Sequence, residues 1–198
     1  MIAVVKYDAG NVLSLVNALR RCGVDEYELT SDPAVLQVAD KVLLPGVGDA
    51  SVALASLRSL GLDKTLLSLK CPVLGICVGM QVLCRHCEEG DVDGLGVFSA
   101  DVTRFKAGDL SLKIPHMGWN RLENMRSGLF DGIPEGTFMY FVHSFRAEVC
   151  PDTVASSVHG SLFSAALAKD NFYGTQFHPE KSGRVGERII KNFLDIKE

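Results

Sequence analysis

Val73-Leu74-Gly75-Ile76-Cys77-Val78-Gly79-Met80-Gln81 runs from an apolar, strand-like segment through Gly-x-Cys-x-Gly into a helical pattern. Met80, Leu83, Cys84 and Cys87 recur at helical spacing, which predicts a helix reaching Cys87. A strand, a sharp turn and a helix with one reactive side chain at the tip make a nucleophile elbow. Glycines on both sides of Cys77 let strand and helix approach closely. Free N–H groups at the helix start favour thiolate over thiol. Cys77 is read as a catalytic nucleophile, against the alternative of a buried structural thiol between two tight turns.

Upstream, Ile2 to Tyr7, Tyr27 to Thr30, Lys41 to Leu44 and Pro72 to Ile76 read as strands. A helix begins at Val12, after the turn Asp8-Ala9-Gly10-Asn11, and stops at Gly23. Ser31-Asp32-Pro33 caps a short helix. Further helical patterns cover Val52 to Leu60 and Leu62 to Leu69. This alternation predicts an α/β fold with a central, mostly parallel sheet flanked by helices. The third strand ends in Pro45-Gly46-Val47-Gly48. Sites in such sheets form beyond the carboxyl ends of strands, so this turn and Cys77 are expected at one edge. After Gly90, segments 97–105, 138–142, 146–149, 154–158, 162–168 and 172–176 read as an antiparallel extension. Arg184 to Ile196 closes the chain as a helix. Asp91-Val92-Asp93-Gly94 comes nearest to a boundary but lacks linker composition, so residues 1–198 are read as a single domain.

The net charge of −4 offers no electrostatic case for nucleic acid. No apolar run approaches the roughly 18 residues of a membrane span, and Met1 to Tyr7 is too short for a secretory signal. The six cysteines are accordingly read as free thiols of a reduced, cytoplasmic protein. Cys84-Arg85-His86-Cys87 is a lone C-x-x-C. It lacks a second ligand pair for zinc, and it sits two helical turns past the place expected of a redox pair. No metal or cofactor is expected.

A thiolate nucleophile needs a base, and the base needs an orienting group. Of the five histidines, His178 stands in Gly174-Thr175-Gln176-Phe177-His178-Pro179-Glu180. Pro179 pushes His178 toward an extended conformation, in which side chains two apart project to the same side. His178 and Glu180 then complete a Cys–His–Glu triad with Cys77. The alternative is a His-Pro turn with a solvated glutamate. Acyl transfer also needs donors for the developing oxyanion. One is the N–H after the nucleophile, on Val78; the other is assigned to Val47 in the Gly46–Gly48 turn. That turn could equally be an ordinary β-to-α connection. A phosphate loop is disfavoured because neither G-x-G-x-x-G nor a Walker lysine is present.

These motifs in this order resemble the triad-type, class I glutamine amidotransferases over nearly the whole chain. The resemblance implies a flavodoxin-like sheet with an antiparallel extension and hydrolysis of the glutamine side-chain amide through a Cys77 thioester. It places Gly46, Gly48, Gln81, Ser144 and Phe145 around bound L-glutamine. Ile114-Pro115-His116-Met117-Gly118-Trp119-Asn120, Tyr140 to Phe145, Glu180-Lys181-Ser182 and Lys6 to Asn11 are further similar to the glutaminase subunits of imidazole glycerol phosphate synthases, which act in histidine biosynthesis. Those subunits pass ammonia to a cyclase, a HisF-type β/α barrel, in a heterodimer. The resemblance puts Asn11, Trp119, Tyr140 and Lys181 at the cyclase-facing surface. It also implies low activity without the partner, because the family often holds the oxyanion loop out of catalytic geometry until the cyclase is loaded. Free ammonia protonates in bulk water, which independently favours a shielded route to a partner.

The chain departs from the family pattern in three places. Val78 replaces a usual leucine and Phe145 a common tyrosine. Asp49-Ala50 follows Gly48 where a less acidic pair is usual, and a carboxylate facing the site would disfavour the thiolate. Asp49 is therefore expected to face out or to cap the next helix. Rival readings are a stand-alone thiol hydrolase or γ-glutamyl peptidase, a non-catalytic subunit that has kept the fold, and the glutaminase of another pathway. Glutaminases of vitamin B6 synthesis usually carry Gly-Gly-Glu-Ser at the second turn, where this chain has Pro-Gly-Val-Gly.

Overall fold

The computed structural model describes residues 1–9, 12–106 and 112–197. Four strands, β1 (Ile2–Val5), β2 (Tyr27–Thr30), β3 (Lys41–Gly46) and β4 (Val73–Cys77), lie parallel in the order β2-β1-β3-β4. Every residue of β4 is buried, as expected of a strand covered on both faces, and its sequence is apolar or glycine throughout. Helices α1 (Val12–Arg21), α2 (Pro33–Gln37), α3 (Ala50–Ser59) and α4 (Leu62–Ser68) make the crossovers. Right-handed crossovers that step in opposite directions along the sheet put α1 on one face and α2, α3 and α4 on the other. The contacts agree: α2 and α3 both pack on α4. Helix α5 (Val78–Leu83) follows β4 directly and packs on α3. The closing helix α6 (Gly183–Asp195) packs beside α1.

Helix α5 is six residues long and does not reach Cys87. The chain turns extended at Cys84, because the next segment has better partners elsewhere. The N–H groups of Leu95, Gly96, Val97 and Phe98 take the carbonyls of Val82, Cys84 and Leu83 at the end of α5. Strand β5 (His86–Cys87) pairs with β6 (Val92–Asp93) and with β7 (Asp101–Arg104), so only the last part of the strand expected over 97–105 forms. The Asp91–Gly94 segment is part of this hairpin. At Gly94 a Cβ would lie 2.1 Å from the Cys84 carbonyl oxygen.

Strand β8 (His116–Arg121), which the periodicity did not mark, pairs with β9 (Phe138–His143) in a sheet of their own. Strands β10 (Phe145–Ala147), β11 (Thr153–His159), β12 (Ser161–Lys169) and β13 (Phe172–Thr175) extend the main sheet. Residues 172–176 were expected to be antiparallel. Strand β13 is antiparallel to β12 but parallel to β4, so it joins the two halves. This junction carries the segment before His178 to the edge where β4 ends.

Candidate active site

The elbow at Cys77 is a place of enforced close approach. Cys77 has φ 54° and ψ −108°, a strained conformation for a side chain with a Cβ. Three glycines make room for it. A Cβ on Gly79 would sit 1.9 Å from the Leu44 carbonyl oxygen of β3. One on Gly75 would sit 2.5 Å from the Gly79 oxygen, and one on Gly46 2.5 Å from the Gly79 nitrogen. Gly46 is the register partner of Cys77, so both glycine-bearing strand ends meet at one edge of the sheet.

A cleft of about 470 Å³ opens there, lined by Val47, Gly48, Cys77, Val78, Gln81, Glu89, Pro115, Val142, His143, Ser144, Phe145, His178 and Lys181. Nine residues singled out from the sequence therefore share one wall system. Gly46 lies buried behind it, while Trp119 and Tyr140 lie on the β8–β9 hairpin. Asn11 lies outside the described residues.

His178 is extended, as Pro179 predicts, but Glu180 reaches it by a different route from the extended one expected. Pro179–Lys181 is a single 3-10 turn with His178 as its N-cap. The turn swings Glu180 back under the ring, so that Nδ1 of His178 lies 2.7 Å from Glu180 Oε1. Both residues are buried. The His178 N–H donates to the Tyr140 carbonyl at 2.9 Å, and Ser182 Oγ donates to the His178 carbonyl at 2.7 Å, which pins the turn to β9. Burial opposes charging of the imidazole. The neighbouring Cys77 and Glu180 outweigh it and raise the His178 pKa from 6.5 to about 10. Nε2 of His178, the atom left for proton transfer, is buried and has no hydrogen-bond partner among the described residues.

The turn after β3 is held in a particular state. The Val47 N–H donates to the Ala9 carbonyl at 2.6 Å and is therefore not offered to the cleft. Gly48 follows with φ 92°, a conformation that glycine adopts freely. Tyr7 Oη donates to the Pro45 carbonyl at 2.7 Å and braces the same turn. Asp49 caps α3: its carboxylate accepts from the N–H groups of Ser51 and Val52 at 2.7 and 3.2 Å and from the Ser51 hydroxyl. These bonds, the Ser51 hydroxyl foremost, keep its pKa below the usual carboxylate range and turn the charge away from the thiol.

Two residues enter the site unannounced. Glu89 lines the cleft and accepts from the Ala50 N–H at 2.8 Å, with burial raising its pKa. Gln176 is fully buried, and its Nε2 donates to Cys77 Sγ at 3.6 Å. The motif around His178 contained Gln176, but nothing in its spacing pointed at the thiol. Gln81 Nε2 donates to the Phe145 carbonyl and to Gln176 Oε1. Its Oε1 is thus the remaining polar atom that Gln81 can offer a ligand.

Hairpin β8–β9 has two unlike faces. Met117, Trp119 and Arg121 alternate along one side, opposite Val142, Tyr140 and Phe138. Trp119 is 56% exposed, Met117 63% and Phe138 47%, and the Arg121 guanidinium covers the Phe138 ring. The opposite side is buried and carries His116 against His143. Burial, with the nearby histidines, pushes the His143 pKa down from 6.5 to about 3. The unfolded chain therefore binds a proton here that the folded chain refuses. Stability is unaffected well above pH 6.5 and falls as pH drops from about 6.5 toward 3. Replacing His143 by glutamine should flatten this acid limb of the urea-denaturation midpoint, by roughly 2–4 kcal/mol at pH 4.

Comparison with known proteins places this geometry. The family model described as glutamine amidotransferase class-I matches residues 4–196. Relatives named imidazole glycerol phosphate synthase subunit HisH include one from Bacteroides thetaiotaomicron and one from Yersinia pseudotuberculosis. The first is 53% identical over 195 residues, 98% of this chain and 99% of its own. The second is 45% identical over 197 residues, again 98% and 99%. A solved glutamine amidotransferase superposes with TM-score 0.74 at 18% identity, covering 98% of this chain and 97% of its own. The acivicin-bound glutaminase domain of Trypanosoma brucei CTPS superposes with TM-score 0.69 at 14% identity, covering 100% and 94%. These two structures speak to the fold alone.

Proposed function

The chain belongs to the class I glutamine amidotransferases, and from that premise we propose that it is the glutaminase subunit of an imidazole glycerol phosphate synthase in histidine biosynthesis. The observation that carries the chemistry is the meeting of Cys77, the His178–Glu180 pair and the Gly46–Gly48 turn at one cleft. Relatives named HisH, among them one 53% identical over nearly full length, support the pathway. Residues 1–198 act as one domain in the cytoplasm.

The Cys77 thiolate attacks the side-chain amide carbon of L-glutamine, and the C=O electron pair moves to oxygen. The Val78 N–H, in the first turn of α5 where backbone donors lack helical partners, receives that oxyanion. Collapse expels the amine, which takes the proton held on His178 Nε2 and leaves as ammonia. A γ-glutamyl thioester remains on Cys77. Water then loses a proton to His178, attacks the thioester and releases glutamate, returning the thiolate. Glu180 holds the ring by its Nδ1–H throughout. Ser144, Phe145 and Gln81 flank the glutamine. No cofactor takes part.

The Val47 N–H must turn from Ala9 toward the oxyanion before the second donor is in place. A partner can drive that turn. The exposed Met117, Trp119, Arg121 and Phe138 face, with Tyr140 and Lys181, is the docking surface for a cyclase barrel in a heterodimer. This surface connects to the base directly, because the Tyr140 carbonyl takes the His178 N–H. The test is glutamate release by the purified chain, alone and with a β/α-barrel cyclase and its phosphoribulosyl ligand. The loaded complex should be faster by about 10²- to 10³-fold, the value of one oxyanion donor. Full activity in the isolated chain with no response to the cyclase would overturn the partner assignment. A stand-alone thiol hydrolase would behave in that second way.

A further inference from the structure

Gln176 and the side chains of His143, His116 and Asn120 have no part in the steps above, yet with Gln81 they form a chain whose direction is settled at both ends. At the outer end, Asn120 Nδ2 donates to the Val158 carbonyl at 2.9 Å, which fixes which end of that amide is NH₂. The same nitrogen lies 3.2 Å from His116 Nε2, so this ring atom accepts. His116 Nδ1 therefore carries the proton and donates to His143 Nε2 at 2.9 Å. His143 Nδ1 in turn donates to the Phe145 carbonyl at 2.7 Å. A protonated ring at either position would set N–H against N–H, and burial lowers both pKa values, to about 4 and about 3. Both histidines stay neutral.

The Phe145 carbonyl also takes Gln81 Nε2 at 3.1 Å. A carbonyl only accepts, so the end of Gln81 that meets it is the NH₂. That NH₂ lies 3.0 Å from the Gln176 amide, which must present its oxygen. The Gln176 NH₂ is left aimed at Cys77 Sγ, 3.6 Å away. Gln176 is fully buried and Gln81 is 3% exposed, so neither amide can turn to water without losing its partners.

We propose that Gln176 is a further catalytic residue, a donor to the Cys77 sulphur that sets the position of the thiolate and favours its ionised form, and that Gln81, through the Phe145 carbonyl and the His143–His116–Asn120 chain, is the positioning group that keeps this donor aimed. The proposal rests on the assignment of Cys77 as nucleophile. A hydrogen bond to the charged form of a group favours ionisation. A donor on the sulphur is also spent once the thioester forms, so its effect falls on the attack and on the return of the thiolate. Gln81 accordingly has two duties, with Nε2 committed inward and Oε1 left for the substrate.

The experiment is the pH profile of iodoacetamide alkylation of Cys77 in the full chain, read by mass spectrometry of the Cys77 peptide, beside glutaminase kinetics with the cyclase present. Gln176→Met keeps the volume and removes the donor. The alkylation midpoint should move up by about one pH unit, a tenfold loss of thiolate at fixed pH. Turnover should fall roughly 10- to 100-fold with KM little changed, the pattern of an interaction made by the reacting atoms. Gln81→Met is the second variant and needs no change at Gln176. It should raise the midpoint in the same direction by a smaller amount, because the remaining amide is no longer held in one orientation. An unchanged midpoint in folded Gln176→Met, or in folded Gln81→Met if Gln176→Met does not fold, overturns the proposal, because a packing role alone leaves thiol ionisation where it was. The alkylation profile needs no glutamine turnover. A midpoint shift in a chain that hydrolyses no glutamine would uphold the donor while sinking the glutaminase reading.

Discussion

Replacing Cys77 by alanine removes glutamine hydrolysis, with a loss of at least about 10⁴-fold that the loaded cyclase does not restore. The size follows from the route. The acyl group is carried on sulphur, and without it water would have to attack an unactivated amide directly. No neighbouring thiol can substitute. Cys84 and Cys87 are fully buried behind α5, with Cys84 Sγ turned to the Met80 carbonyl and Cys87 Sγ to the Gln81 carbonyl. Burial first, and then nearby negative groups, hold the Cys84 pKa well above the usual thiol range and push Cys87 up to about 12. The same contrast predicts that 6-diazo-5-oxonorleucine labels Cys77 and leaves Cys84 and Cys87 unmodified. Peptide mapping after labelling, with rates measured on Cys77→Ala, checks both. Retained hydrolysis in the alanine variant, or label on another cysteine, would remove the triad from the mechanism.

Gly79→Ala should cost more stability than any other one-methyl change at the elbow, because the added Cβ lands 1.9 Å from the Leu44 carbonyl oxygen. The obstacle is the backbone of β3, which is hydrogen-bonded to β1 and β4 and cannot rotate away as a side chain would. Relief requires α5 to lift off the sheet, and that opens the packing of Met80 against Gly174 of β13 as well. Overpacking against a fixed backbone costs on the order of 3–5 kcal/mol, a fall of about 8–15 °C in Tm for a chain of this size. Gly23→Ala is the comparison. Gly23 has φ 86° but nothing within 4 Å of its would-be Cβ, so only the conformational cost of about 1–2 kcal/mol applies. Thermal unfolding of the two variants separates steric exclusion from backbone strain. Equal losses would mean that the elbow is not the tight junction its geometry describes.

Both expectations rest on features of differing legibility. Strand and helix alternation over residues 1–77 read correctly because buried parallel strands and amphipathic crossovers leave strong local patterns. The Asp49 cap was equally readable, since an aspartate before a helical pattern has one favourable use for its carboxylate. The end of α5 was not. Met80, Leu83, Cys84 and Cys87 fit a helix as well as they fit a helix followed by a strand, and the choice lay with carbonyls claimed by residues 95–98. Strand β8 carries Met117 and Trp119 outward and His116 and Asn120 inward, so its alternation is of large against polar, not of core against solvent.

Local patterns in the chain carried the fold class and singled out Cys77, His178 and Glu180 as the candidate triad. Each rests on short-range rules: glycines around a strained turn, a proline beside a histidine, apolar periodicity in strands and helices. Tertiary structure alone decided how those residues meet. A 3-10 turn, and not an extended segment, brings Glu180 to His178. The Val47 N–H is held by Ala9, 38 residues earlier in the chain, and Gln176 is aimed at Cys77 across 99 residues. Hydrogen bonds of such span depend on which strands become neighbours, and pairing between distant segments leaves no mark in the local pattern of either one.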